Sequence, residues 1–250
     1  MPPLRIAVTA HLVGALISAA AVKLLYPALF SMPLIWACVQ GGFAALVSHR
    51  LGAAVWWTPI HLIFLPLAML AARTHVSPAY WLGGFVLLLL LFWRTDKDQV
   101  PLYLSSRKTA EAVLSLLPPT PCRFIDLGCG TGSLLKHLAV TRPDCVLTGI
   151  EHAPLPFLGA WLRSLRLPNL TIRYGNFWNQ DIGVFQFVYV FLSPTPMPKL
   201  WLKACKEMQA GSQVISNSFE IPNVPCYCVT VPDRRRTQLH RYSPAAAEPR

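Results

Sequence analysis

Four apolar runs follow one another before the first acidic residue appears. They lie near residues 6–25, 29–47, 52–72 and 77–93, joined by very short links. Between Met1 and Trp93 there is no Asp or Glu, and the only Lys or Arg residues are Arg5, Lys23, Arg50 and Arg73. The first three runs approach the ~20 residues that cross a ~30 Å hydrocarbon core. The fourth is shorter but has Tyr80, Trp81 and Trp93 to sit at an interface. The pattern predicts a transmembrane helical domain of about four spans over residues 1–94. A cleaved signal peptide accounts only for the first run, and no cleavage site followed by soluble sequence is evident. Pro59 and Pro66 interrupt the third run, which a membrane bundle tolerates when neighbours re-satisfy the freed carbonyls. Gly41-Gly42 and Gly83-Gly84 predict close helix packing.

After Trp93 the pattern changes. Residues 95–104 read as a polar linker. Ser105 or Ser106 is placed to cap a helix running to about Leu117, with Ala110, Val113, Leu114 and Leu117 as its apolar stripe and Pro118-Pro119 as its stop. Strands are expected near 123–126, 146–151, 170–175, 184–192, 212–219, 226–231 and 237–242, and helices near 133–140, 155–166 and 198–209. A closing hairpin is expected across Pro232-Asp233-Arg234-Arg235-Arg236. This alternation predicts an α/β domain over residues 105–243, a Rossmann-like, mostly parallel seven-stranded sheet with an antiparallel end, and a tail at 244–250.

The candidate chemistry sits at successive strand ends. The first strand runs into Asp126-Leu-Gly128-Cys129-Gly130-Thr-Gly132 and then into a helix. Glycines let such a turn take positive φ and bring backbone close to a ligand. A carboxylate here repels pyrophosphate but suits an ammonium group, and the glycine spacing differs from the dinucleotide fingerprint. The second strand ends in Glu151, placed to accept both ribose hydroxyls of a nucleoside. The third ends in Gly175-Asn176-Phe177, an amide acceptor beside a flat aromatic ring. Asp126-x-Gly-x-Gly-x-Gly132 resembles the cofactor loop of class I S-adenosylmethionine-dependent methyltransferases. The resemblance implies S-adenosylmethionine as cofactor, held by Asp126, Gly128, Cys129, Gly130, Gly132, Glu151, Asn176 and Phe177, with Asn176 accepting from the adenine amino group and Phe177 lying against the purine.

Charge refines the picture. The formal net charge is +11, and eighteen of the 22 Lys and Arg residues lie from Arg94 onward together with all eleven acids. That surplus suits an anionic membrane surface. Arg234-Arg235-Arg236 is the only dense basic cluster, and no RNA-module or zinc-finger signature accompanies it, so no nucleic-acid partner is expected. With four spans, Arg5, His49-Arg50 and Arg94/Lys97 share one side, and Lys23 and Arg73 the other. The positive-inside rule then puts the second domain in the cytosol, at a bacterial inner membrane or its equivalent. The seven cysteines fit no disulfide framework. Cys226 and Cys228 share a strand face, but no His/Cys set in the sequence completes a zinc site, so free thiols and no metal are expected.

Further motifs narrow the resemblance. Val100-Pro-Leu-Tyr103-Leu-Ser-Ser, Asp126-Leu-Gly-Cys-Gly-Thr-Gly, Gly175-Asn-Phe-Trp178 and Val188-Tyr-Val-Phe-Leu-Ser-Pro194 are together similar to the membrane-anchored lysine methyltransferases whose mitochondrial member acts on the c subunit of ATP synthase. Two features depart from that family: four spans in place of one, and Asn176 where an acid is commoner. The resemblance implies methylation of a lysine on a membrane-associated protein. Leu192-Ser193-Pro194-Thr195 stands where many amide and base methyltransferases carry Asn/Asp-Pro-Pro-Tyr, which disfavours a nucleobase or glutamine acceptor. Tyr103, Trp178, Ser193 and Pro194 are the cleft candidates, and no residue stands out as a general base. The alternatives are methylation of a lipid or quinone-type molecule, and a non-catalytic S-adenosylmethionine-binding membrane protein.

Overall fold

Prolines and glycines set the ends of the N-terminal helices. α1 (Pro3–Leu25) stops ahead of a 3-10 turn at Pro27–Ser31, and α2 (Pro33–Arg50) begins on a proline. α3 spans Trp57–Ala72 and α4 Pro78–Leu91. The computed structural model describes residues 3–74, 76–91, 93 and 103–244. They form two compact units that divide between Trp81 and Leu82. Of the expected linker, only Tyr103 and Leu104 lie among the described residues, and the tail does so only at Pro244.

The predicted spans are corrected in length. The second starts at Pro33 and not near 29, because proline is suited to the first turn of a helix and not to its interior. The third starts at Trp57 and not at 52, because Gly52 turns the chain with φ +79°. α3 and α4 therefore hold 16 and 14 residues. Among the described residues one helix, Arg5–Leu25, is both long and apolar enough to cross a bilayer. Pro59 falls in the first turn of α3, where its missing N–H has no intrahelical partner to lose, whereas Pro66 lies inside the helix.

In the first unit α2 packs against both α1 and α3. What is buried there is mostly small or polar, with Ala10, Ser18, Ala37, Gln40, Gly41, Ala44, Ala45, Ser48 and His61 beside the aliphatic Ile6 and Val22. What is exposed is large and apolar, including Leu12, Leu16, Ile63, Phe64 and Leu67. This inverts the usual soluble core. Two glycines permit the close approach. A Cβ on Gly14 would lie 2.7 Å from the Ala44 backbone nitrogen, and one on Gly41 would lie 2.8 Å from the His61 carbonyl oxygen. The expectation for Gly41 is met. Gly42, Gly83 and Gly84 have no neighbour within 4 Å of that position among the described residues, so the expectation of close packing is not met there. A polar chain links the three helices: Gln40 Nε2 lies 3.2 Å from His11 Nδ1, and His11 Nε2 lies 3.1 Å from His61 Nδ1.

Gly41→Leu is expected to force α2 from α3 and destabilise the bundle by about 1–3 kcal/mol or more. Gly42→Leu, one position along, is expected to change little. Thermal unfolding of the two variants in detergent checks this pair.

The second unit is the seven-stranded α/β domain. Ser106 caps α5 (Arg107–Leu116) by accepting from the Thr109 N–H at 3.1 Å. Then follow β1 (Arg123–Leu127), α6 (Ser133–Thr141), β2 (Val146–Glu151), α7 (Pro154–Ser164) and β3 (Leu170–Tyr174). The chain continues through β4 (Phe187–Val190), α8 (Met197–Glu207), β5 (Gln213–Asn217), β6 (Tyr227–Thr230) and β7 (Gln238–Tyr242). Sheet order is β3-β2-β1-β4-β5-β7-β6. The first five strands are parallel, while β7 runs antiparallel to both β5 and β6. Both sheet faces are covered, so neighbouring residues such as Phe124 and Ile125 are each fully buried, in separate clusters. The strand order reverses between β1 and β4, and a crevice outside the carboxyl ends of the strands opens at such a point.

Candidate functional site

Asp126 stands near the end of β1, in that crevice, and is 4% exposed. The loop after it is folded back on β2: the N–H groups of Gly128 and Cys129 both donate to the Ile150 carbonyl, at 2.9 and 3.0 Å. Gly128, Gly130 and Gly132 have φ of +83°, +55° and +71°, a region that only glycine enters at low cost. Gly132 is then the N-cap of α6 and leaves that terminus without a side-chain cap.

Glu151, at the end of β2, holds this arrangement together. Its Oε2 accepts from the Gly130 N–H at 2.8 Å, and its Oε1 accepts from the N–H groups of His152 and Ala153 at 2.8 and 2.7 Å. Sequence reasoning treated Glu151 as a ligand-facing acid. Its geometry makes it the clamp between the two strand-end loops.

The electrostatics are one-sided. Burial raises the Asp126 pKa well above the usual carboxylate range, and the charge of Glu151 raises it further. Among the described residues neither acid forms an ion pair with Lys, Arg or His. Burial also pushes the Cys129 thiol well up, with Asp126 and Glu151 adding to the effect. Cys129 is thus a neutral packing group: a Cβ on Gly149 would meet its Sγ at 2.8 Å. An acid pair of this kind, beside a glycine loop, fits a ligand that brings its own positive charge.

The third predicted contact is modified. Asn176 Oδ1 accepts from the Trp178 N–H at 3.0 Å and caps the 3-10 turn Phe177–Asn179, so the amide acceptor is partly committed to the backbone. Phe177 is half-buried with its ring centroid 4.8 Å from that of Trp178. Trp178 packs against the core and carries Lys199 Nζ 4.3 Å above its ring. It is a packing residue as much as a wall.

Of the other cleft candidates, Tyr103 stacks on Phe191 with centroids 4.7 Å apart and lines a cavity of about 10 Å3 with Ser105, Asp126, Gly128 and Tyr189. Ser193 is buried, and its hydroxyl has no hydrogen-bond partner among the described residues. Pro194 is exposed, and its carbonyl accepts from the Met197 N–H at 3.2 Å.

Two features escaped the sequence reading. The Tyr189 hydroxyl, on β4, lies 2.8 Å from Ser105 Oγ and accepts from Asn217 Nδ2 at 2.8 Å, tying the segment before α5 to β4 and β5. Burial and the nearby Asp126 hold this hydroxyl in its neutral form. The unbroken apolar run around Tyr189 was the available signal, but it reads as core. The second is a soft-ligand cluster. Sequence spacing completes no His/Cys set around Cys226 and Cys228, but the fold places His240 beside them, with the three ligand atoms all within 4.8 Å of one another.

The expected turn between β6 and β7 carries the arginine run. Asp233 closes it by accepting from the Thr237 N–H and hydroxyl at 2.9 and 2.7 Å. Arg234, Arg235 and Arg236 line a cleft of about 650 Å3 with Asn217, Ser218 and Phe191. Leu104 and Phe191 are shared between this cleft and the small cavity at Asp126.

Comparison with known proteins agrees with this layout. The family model described as "ANTKMT methyltransferase domain" matches residues 126–227. The "Adenine nucleotide translocase lysine N-methyltransferase" of Mus musculus is 32% identical over 130 residues, covering 50% of this chain and 55% of that protein. The "Release factor glutamine methyltransferase" of Escherichia coli (strain K12) is 37% identical over 91 residues, covering 35% of this chain and 31% of that protein. The chain thus spans about a third to a half of the length of these curated relatives. An RNA methyltransferase from Salinibacter ruber, solved with S-adenosyl-L-homocysteine, shares the fold at a TM-score of 0.53 and 20% identity, over 59% of this chain and 97% of that one.

Proposed function

Taking the second unit as a seven-strand, S-adenosylmethionine-dependent methyltransferase domain, we propose that the chain is a membrane-anchored protein-lysine N-methyltransferase acting on a membrane-associated protein. When bound, S-adenosylmethionine supplies a methyl group made electrophilic by its sulfonium centre. The observation that carries the reading is the acid pair Asp126/Glu151, unpaired with any basic side chain among the described residues, beside a positive-φ glycine loop.

In this reading Asp126 holds the cofactor's ammonium group, and Gly128, Cys129, Gly130 and Gly132 give the backbone its approach. Glu151 accepts the ribose hydroxyls while keeping its grip on the loop, and Asn176 and Phe177 border the purine. Tyr103, Phe191 and the buried Ser193 surround the transfer point and exclude water. An amine acceptor must arrive neutral, and positive surroundings lower its pKa. The arginine-lined cleft supplies such surroundings. A planar amide needs paired acceptors to orient it, and a single Ser193 hydroxyl in place of the Asn/Asp-Pro-Pro-Tyr sequence does not provide them.

The inverted first unit supports anchoring, with large apolar side chains outside and Gly, Ala, His and Gln within. Anchoring raises the effective concentration of a membrane-borne acceptor without adding contacts. The same arginine cleft favours, as a second reading, an anionic lipid headgroup near the acceptor atom. Membranes carrying the chain, incubated with methyl-labelled S-adenosylmethionine, separate the readings. Label is expected on lysine peptides of a membrane protein. Label confined to the lipid extract would replace the lysine reading, and absence of turnover would remove the enzyme reading.

A further inference from the structure

β6 is the edge strand of the sheet, only four residues long and mostly exposed. Its attachment nonetheless concentrates the soft metal ligands of this region. Cys228 on β6 is directly opposite His240 on β7 in the antiparallel register. Cys226 precedes it by two residues, which puts both thiols on one face. Sγ of Cys228 lies 3.3 Å from His240 Nδ1, Sγ of Cys226 lies 3.7 Å from it, and the two sulfurs are 3.1 Å apart. His240 is 1% exposed, so its ring is fixed from behind, while the sulfurs lie toward solvent. Glu220 approaches the same nitrogen from the loop after β5, Oε1 at 4.0 Å on a side chain that is 70% exposed.

We propose that Cys226, Cys228 and His240 form a Zn2+ site, with the Glu220 carboxylate as fourth donor. The spacing suits it. Tetrahedral bonds of about 2.3 Å to sulfur and about 2.0–2.1 Å to imidazole put ligand atoms about 3.8 Å (S to S) and about 3.5 Å (S to N) apart. The two S–N distances already bracket the second figure, and the sulfurs need to separate by a fraction of an ångström. Two thiolates, an imidazole and a carboxylate match the borderline softness of Zn2+. The donors come from the β5–β6 loop, the start of β6, and β7, so the ion staples an edge strand to its neighbour and fixes the loop that carries Phe219. Phe219 lies 5.7 Å from Tyr103, centroid to centroid. The site stands apart from the acid pair and the glycine loop, so its test does not depend on the cofactor reading.

The full chain, purified in detergent without chelator, is expected to retain about one equivalent of zinc by elemental analysis. Co2+ exchanged into it is expected to show thiolate-to-metal charge-transfer absorption. In competition with a chromophoric chelator, Cys228→Ser and His240→Gln are each expected to bind Zn2+ about 100-fold more weakly or worse. Cys205→Ser, at an exposed thiol elsewhere, is expected to bind as wild type does. Affinity should rise with pH, because the thiols lose protons to the metal. Zn2+ binding unaltered in a Cys226→Ser/Cys228→Ser double variant overturns the proposal. So does a Cys226–Cys228 disulfide in protein purified under reducing conditions, or retention of copper in place of zinc.

Discussion

Asp126→Asn is expected to weaken S-adenosylmethionine binding by about 10- to 100-fold, the loss of one charge-assisted contact worth roughly 1.5–3 kcal/mol, while making the cofactor-free protein more stable. The two effects share a cause. Burial, and then the charge of Glu151, lift the Asp126 pKa in the folded chain. A carboxyl whose folded pKa exceeds its unfolded value near ~3.9 favours folding least at high pH: its cost appears as pH rises from that value and is complete above the folded one. Asparagine removes that cost. In the proposed reading the ammonium of a bound cofactor offsets it in the wild type, pulling the proton off Asp126. Affinity should therefore rise with pH through the cofactor-free pKa, and that slope should vanish in the variant. Calorimetry in two buffers of different ionisation heat measures the released proton. Affinity within threefold of wild type, with unchanged proton release, would mean that Asp126 only packs the strand end.

Glu151→Ala is expected to act with the opposite sign on stability. Three N–H groups, from Gly130, His152 and Ala153, lose a charged acceptor at once. Hydrogen bonds to charged groups contribute ~1.5–3 kcal/mol each and do not simply add, so a loss on the order of 3–5 kcal/mol is expected, or roughly 10–20 °C in the melting temperature of this domain. Glu151→Gln should fall between, since its amide keeps one acceptor oxygen but turns an N–H group toward a donor. Thermal unfolding without cofactor distinguishes this from a purely ligand-facing acid, whose replacement would leave the melt in place and change affinity alone.

Much of the second unit was legible because its signals are local. Most of the strands are apolar or alternating runs bounded by turn residues, and all seven were expected within a few positions of where they lie. The conformation of the glycine loop was legible because glycines at that spacing, between a strand and a helix start, call for a turn with positive φ. What escaped depends on partners distant in sequence. Tyr189 reads as one more apolar strand residue until β5 brings Asn217 to its hydroxyl. His240 joins Cys228 only through the β6–β7 register. Glu151 seemed free because the N–H groups it accepts from belong to two loops whose paths the sequence does not print. In the first unit hydropathy located the helices but overran their ends, since Pro33 and Gly52 act on backbone conformation and not on polarity.

The Tyr103–Ser105 segment has a kinetic meaning. Tyr103 stacked on Phe191 and Ser105 bonded to Tyr189 leave about 10 Å3 beside Asp126, roughly the space of a single water molecule. If Asp126 holds the cofactor's ammonium group, as proposed, the amino-acid end of the cofactor reaches it only after this strap lifts, which breaks one aromatic stack and one hydrogen bond. Association then has two stages, an opening that the ligand does not accelerate and a capture that it does. At high ligand concentration the rate levels off at the opening rate, and the strap, once reclosed, lengthens residence by the same barrier.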